Sequence, residues 1–434
     1  MSKLTNRLIV LSFDGLSSLD FEYIMTLPNF SAFVNNAAYC KQVYSIYPTL
    51  TYPAHTTIVT GKYPKNHGII NNTILQPGNE NPDWYWHRKH IRGDTLFDMA
   101  IKEGMRTAAL LWPVTAKSRI KYNMPEIFAN RPWQNQILVS LLNGSPYYQY
   151  RMNQRFGYLR KGKKQPELDN FTHQSLLFTL KNHLPELSLV HYTDLDTMRH
   201  YNGFHSEVAF EALQRHDIRL GEIIAALKEI GIYEDSTIVV LGDHSSLDED
   251  KIINLNVLFK EKGWILKGKN QQITYNVICK NCDGSAYIYL KGNQNEQLKS
   301  EVYTVIEHFN SQYSCIEAIH TAEEAAGLGA DPNCVFMLEA QKGYYFLDAL
   351  EGPIIRQIQP GEAGNVPHIT INTHGYSPFK EEYTTVFMAS GKGIKKGAVI
   401  EKMNLIDEGP TMARLLGLEL KEADGKVLNE LLDV

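Results

Sequence analysis

Short apolar, β-branched runs alternate along the chain with longer stretches in which apolar residues recur at near-helical spacing. Residues 8–13, 187–192, 237–242 and 368–373 each read as a strand, and each runs into acid or histidine: Asp14, then Asp194 and Asp196, then Asp243 with His244, and finally His374. Over 207–230, Val208, Ala212, Leu213, Ile218, Leu220, Ile223 and Leu227 mark one side of a helix. Alternating strand and helix predicts an α/β fold, a three-layer α/β/α sandwich around a largely parallel central sheet. In such sheets ligands bind beyond the carboxyl ends of the strands, where these residues fall. A lone acid after a strand is ordinarily a turn or a cap. Four such ends together point to a site.

Two regions interrupt the pattern. Residues 130–185 are polar and aromatic, with Tyr147, Tyr148, Tyr150 and the run Arg160-Lys161-Gly162-Lys163-Lys164, and read as an insertion over the active site. Residues 251–367 carry their own strands (285–290, 334–338) and a helix (296–309), as an inserted α+β subdomain would. The whole chain, 1–434, is otherwise read as one catalytic domain, with no internal repeat.

Composition narrows the classes. The 434 residues hold 43 Lys plus Arg against 48 Asp plus Glu, a net charge of −5, with 43% apolar and 21% charged residues. That is ordinary globular usage and excludes a disordered or collagen-like chain. The near-balanced total is read as leaving no electrostatic footprint for a nucleic-acid duplex or an anionic membrane surface, so any nucleic acid would be a small-molecule substrate. No apolar run approaches the roughly 18 residues that cross a bilayer, and 8–11 is too short for a signal-peptide core. Five cysteines, an odd and sparse count, argue for a reducing compartment, the cytoplasm. The pair Cys279 and Cys282 reads as a turn before Asp283-Gly284 rather than a metal or redox motif.

The stretch 47–61 holds the most chemistry. Pro53 suits the first turn of a helix, which puts Thr51 near its N-terminus, among free N–H groups and the positive end of the helix dipole. There Thr51 either caps the helix or, with its alkoxide stabilised by a metal, attacks phosphorus. Asp196 and His200, four residues apart, face one side of a helix if the segment is helical. Asp194 is the neighbouring alternative.

Six motifs then fall in one order: Ser12-Phe13-Asp14-Gly15; Thr51-Tyr52-Pro53-Ala54-His55; 61–69 with His67 and Gly68; Asp196 with His200 and Gly203; Asp243-His244; and Thr373-His374-Gly375-Tyr376. This order resembles the type I phosphodiesterase/nucleotide pyrophosphatase family of the alkaline phosphatase superfamily, and 406–411 resembles the start of that family's last helix. The resemblance implies an alkaline-phosphatase-like fold and a two-zinc (Zn2+) site, other divalent metals being able to substitute. Asp14, Thr51, Asp243 and His244 would hold one ion, and Asp196, His200 and His374 the other. Mixed imidazole and carboxylate donors suit zinc, and paired ions about 3.5–4 Å apart stabilise both oxygens of an in-line displacement. Thr51 would attack and form a covalent phospho-threonine. Asn72 matches the family's amide donor to a non-bridging phosphate oxygen, although Asn71-Asn72 also reads as a turn. Tyr52 would stack on a leaving-group base or simply pack.

Two positions depart from the family pattern: Arg199 and Ser245 stand where it often has glycine. Arg199 would reach a terminal phosphate or lie in solvent. The substrate reading is therefore a phosphodiester or pyrophosphate of nucleotide type. The alternatives are a phosphonate of the phosphonoacetate kind or a phosphomonoester on the same site and, distantly, a non-catalytic metal-binding protein.

Overall fold

Strand β1 (Arg7–Phe13) sends Leu8 and Val10 to one hydrophobic core and Ile9, Leu11 and Phe13 to another. Alternate side chains of a strand leave on opposite faces, so a strand apolar on both must be covered on both. Each such side chain contributes about 1.5–3 kcal/mol by its burial. The structure, a computed structural model, describes residues 2–79, 81–268, 272–292 and 295–433.

Along the chain the main sheet takes β1, β2 (Ala38–Tyr44), β3 (Thr107–Leu110), β4 (Tyr122–Met124), β5 (Leu187–Tyr192) and β6 (Ser236–Leu241). A second sheet takes β7 (Val277–Cys282), β8 (Ser285–Leu290), β9 (Ile316–Thr321) and β10 (Phe336–Ala340), and the chain then returns to the main sheet as β11 (Thr385–Gly391). The main sheet runs β2-β11-β6-β1-β5-β3-β4, with the short strands Val399–Ile400 and Met403–Asn404 beside β2. β6, β1, β5, β3 and β4 are mutually parallel, and β11 is antiparallel to both its neighbours. Helices α1 (Thr51–Thr60), α2 (Gln136–Asn143), α3 (Pro146–Phe156), α4 (Glu167–His183), α5 (Asp194–Asn202), α6 (Glu207–Glu229) and α7 (Glu408–Leu415) complete the outline used below. The α/β architecture expected from the sequence, a largely parallel central sheet covered on both faces, is present.

Several local expectations shift. The 296 helix runs on to Tyr313, and the 334 strand begins only at Phe336. Residues 368–371 are not a strand: only Asn372–Thr373 pairs, with Leu247–Asp248, because His368 takes a positive φ of 63° and Ile369 packs beside Ile252 and Tyr345. Within 130–185, α4 is a layer helix of the main fold, with Phe171, Leu176 and Leu180 in the core under β3 and β5. Cys279 and Cys282 lie in β7 itself; the turn is Asp283-Gly284, with Asp283 at φ 59° as a two-residue hairpin connection requires. All five cysteines are buried and unbridged.

Candidate active site

Three neighbouring strands of the main sheet deliver the site. β1 ends at Asp14, β6 at Asp243-His244, and β5 leads into α5, which carries Asp196 and His200 on successive turns. Thr51 is the first residue of α1, after Leu50 in extended conformation, so its hydroxyl sits where helix N–H groups lack intrahelical partners. His374 arrives on the short Asn372–Thr373 ribbon rather than on a main-sheet strand. It is fixed from two sides, by Thr49 and by the β7–β8 hairpin, whose Gly284 N–H donates to the His374 carbonyl at 2.8 Å.

His244 is the hub. Its Nε2 lies 3.3 Å from Thr51 Oγ1, 3.4 Å from Asp14 Oδ1 and 3.1 Å from Asp243 Oδ2. Its ring also stacks on His374 at 3.9 Å, and Asp196, His244 and His374 form a second group of converging donors. His200 joins through Asp196, Nε2 to Oδ2 at 3.0 Å. The seven ligand positions anticipated from the sequence therefore come together, with His244 belonging to both groups. The nitrogens are oriented from behind: Nδ1 of His200, His374 and His244 faces the carbonyl oxygens of Asn372 (2.7 Å), Thr49 (3.0 Å) and Ser245 (3.2 Å). A carbonyl only accepts, so each Nδ1 carries a hydrogen and each Nε2 faces the site.

Burial sets the protonation. It lowers His244 and His374 to about 4, leaving neutral imidazoles, and raises Asp243 to about 6. Asp14 is pushed up by burial and then by Asp243 and Asp196. His200 is raised to about 9 by Asp196 against the effect of burial, and Asp196 is held below the carboxylate range by the histidines around it, again against burial. One oxygen each of Asp14, Asp196 and Asp243 is buried without a hydrogen-bond partner. Three buried carboxylates with orphaned oxygens are costly without a counter-charge, and together with neutral Nε2 donors they are the set a divalent cation binds. The residues fit the implied zinc ions.

Other anticipated contacts fall differently. Tyr52 is fully buried, with its ring edge-on to Trp84 at 5.1 Å in a cluster with Ile69, Trp86 and Val114; it packs, and no face is left for a base. Arg199 reaches neither phosphate nor solvent. It is buried, paired with Asp20 at 2.5 Å, donates to the Gly15 carbonyl at 2.6 Å and lies over the Phe204 ring, so it holds the Asp14-Gly15 turn. Asp194 is spoken for by Arg215 and Arg219, which leaves Asp196 as the acid facing the site. Asn72 accepts from the Tyr52 N–H at 2.9 Å, an arrangement that keeps its amide nitrogen available beside the start of α1.

Sequence reasoning missed His191, His55 and Glu126. His191, inside β5, bridges Asp14 Oδ2 at 3.0 Å and Glu126 Oε2 at 3.3 Å; burial alone would lower it, but these two carboxylates raise it. His55, in a motif quoted from the sequence but given no role, lies one turn along α1. Its Nδ1 is 2.8 Å from the Thr51 carbonyl and its Nε2 is 2.9 Å from Ser12 Oγ, which ties α1 to β1 behind the hydroxyl.

The sequence model of the family described as type I phosphodiesterase / nucleotide pyrophosphatase matches residues 8–377. Human ectonucleotide pyrophosphatase/phosphodiesterase family member 1 is 25% identical over 253 residues, 54% of this chain and 23% of that protein. A bis(5'-adenosyl)-triphosphatase of Pongo abelii is 24% identical over 312 residues, 67% of this chain and 61% of its own length. The chain thus spans less than two thirds of the length of these relatives. Among solved structures, human ectonucleotide pyrophosphatase/phosphodiesterase 5 superposes with a TM-score of 0.68 at 18% identity, covering 99% of this chain and 100% of the other. An inactive variant of the murine protein in complex with AMP gives 0.66 at 19%, over 98% and 100%. These share the fold.

Proposed function

The chain belongs to the type I phosphodiesterase/nucleotide pyrophosphatase family, and from that premise we propose that it hydrolyses phosphodiester or pyrophosphate bonds, of nucleotide-type substrates, with Thr51 as nucleophile at a two-zinc site. The observation that carries the reading is the Thr51 hydroxyl at a helix start, 3.3 Å from His244 and surrounded by three buried carboxylates with unpartnered oxygens. Asp14, Thr51, Asp243 and His244 would hold one zinc, and Asp196, His200 and His374 the other. When bound, zinc would supply Lewis-acid stabilisation of the alkoxide and of the phosphoryl oxygens.

The protein's own groups do the positioning. The Thr51 oxygen forms a bond to phosphorus as the bond to the leaving oxygen breaks; water then cleaves the phospho-threonine, restoring the hydroxyl and releasing the phosphoryl product. The amide hydrogens of Asn72 and the N–H of Thr51 would donate to a non-bridging oxygen, where charge grows in the transition state. The start of α1 favours the anion throughout. Nucleotide substrates are supported by two relatives: one is named for cleaving bis(5'-adenosyl) triphosphate, and another was solved with AMP.

The test compares zinc-loaded protein on p-nitrophenyl thymidine monophosphate, p-nitrophenyl phosphate and a phosphonate, each with a chelated control. Faster, chelator-sensitive diester cleavage is expected. A strong monoester or phosphonate preference would move the assignment to those substrates, and zinc-replete protein inert towards all three would point to a non-catalytic site.

A further inference from the structure

We propose that the segment around α2 and α3 is a docking surface for an anionic lipid bilayer. The whole-chain charge of −5 conceals a local excess: residues 127–166 contain seven Lys and Arg and no Asp or Glu. Only Arg131 and Lys161 of these have carboxylate partners among the described residues, Asp83 and Glu167. Arg151 and Arg155 lie over the Phe178 ring, Arg160 over Phe171 and Lys163 over Phe128, so their stems cover apolar surface while their charge stays uncompensated.

The same segment exposes what soluble surfaces usually hide. α2 has no buried residue, and Ile137, Leu138 and Leu142 stand 59–73% exposed on it. Trp133, just before it, is 80% exposed, and Tyr147 and Tyr150 are exposed on α3, against which α2 packs. Seven of the sixteen large hydrophobic side chains that are exposed among the described residues fall within 133–158. Scattered apolar residues need no explanation, but a cluster of this kind marks an interaction site. Aliphatic side chains on a short amphipathic helix, flanked by Trp and Tyr and backed by Lys and Arg, are the composition of a helix lying in the bilayer interface.

Charge selects this occupant. A second copy docked through the same patch would bring two like-charged, acid-free surfaces together, which repel. An anionic headgroup layer meets the basic residues while the aliphatic and aromatic side chains enter below it. No helix among the described residues is long and apolar enough to cross a membrane. The near-balanced total had suggested no such footprint, because charge summed over the chain averages out a one-sided segment.

The experiment is co-sedimentation of the full chain with phosphatidylcholine vesicles, with and without phosphatidylglycerol, at low and high salt. Binding to the anionic vesicles, weakened by salt, is expected. The triple change Lys161→Gln, Lys163→Gln, Lys164→Gln should weaken it about a hundredfold, at about fivefold per charge. The pair Leu138→Gln, Leu142→Gln should weaken it as well. Both sets are surface changes, so melting temperature and turnover of a soluble nitrophenyl substrate should not move. Absence of vesicle binding, equal binding to neutral vesicles, variants that bind like the parent, self-association through the patch, or preference for an oligonucleotide over vesicles would each overturn the proposal. The vesicle-binding readouts do not depend on hydrolytic activity.

Discussion

His191 would bind no metal itself, yet among the described residues its ring is the only side chain reaching Asp14 Oδ2 from behind. Groups that orient a ligand from behind typically contribute 10–100-fold in metal affinity. His191→Asn is therefore expected to weaken zinc binding by about that factor in a chelator competition; unchanged affinity would show that Asp14 orients itself. The residue was not legible beforehand because it sits in an apolar strand with no partner at helical spacing. Its partners come from a neighbouring strand and from Glu126 in a distant loop, which only the tertiary fold brings together. Burial is not local either: Arg199 reads as a phosphate or solvent contact until Asp20 is seen beside it, and of the two readings open for Tyr52, stacking on a base or packing, only the fold selects packing. The positions that converge at the site were legible because their identity and spacing are local, as with Asp196 and His200 one helical turn apart.

Strand ends set the site's accuracy, and three were readable because an unbroken apolar run, buried on both faces, leads into an acid in β1, β5 and β6. The fourth, at His374, was not, since its support comes from pairing between 372–373 and 247–248 and from the β7–β8 hairpin. Gly375 is the joint. Its φ of 88° is a conformation L side chains rarely adopt, and a Cβ there would meet the Cys282 carbonyl oxygen at 1.8 Å. Gly375→Ala should push the hairpin and His374 apart, costing at least about 1–2 kcal/mol in backbone strain alone. The expected outcome is a lower melting temperature together with reduced zinc content. An unchanged melting temperature and full zinc content would mean that the second sheet does not hold His374.

At the scale of the whole molecule, Tyr376, two residues beyond His374, ties the site's last segment to the small sheet of Lys251–Ile253, Tyr344–Phe346 and Ile355–Gln357 through Glu249 and Tyr344. Tyr376 OH lies within hydrogen-bond reach of both Glu249 Oε1 and the Tyr344 carbonyl. It has one hydrogen, so when it donates to the carbonyl a protonated Glu249 can donate to it in turn. Burial raises this carboxyl from 4.5 to about 9. The folded protein thus keeps a proton that the unfolded chain releases, a contribution fully present below 4.5 and lost as pH rises towards about 9. Relative to wild type, Glu249→Gln is expected to show a shallower fall of melting temperature across that window. Parallel curves would place the proton elsewhere.

The most direct test of the central claim pairs turnover with metal content in one variant. Zinc-loaded wild type and Thr51→Ala are compared on p-nitrophenyl thymidine monophosphate, with bound zinc measured in the same samples. Thr51→Ala should fall by at least about a thousandfold, as loss of a covalent nucleophile does, while retaining most of its zinc. Turnover that survives in the zinc-replete variant would contradict Thr51 as the nucleophile.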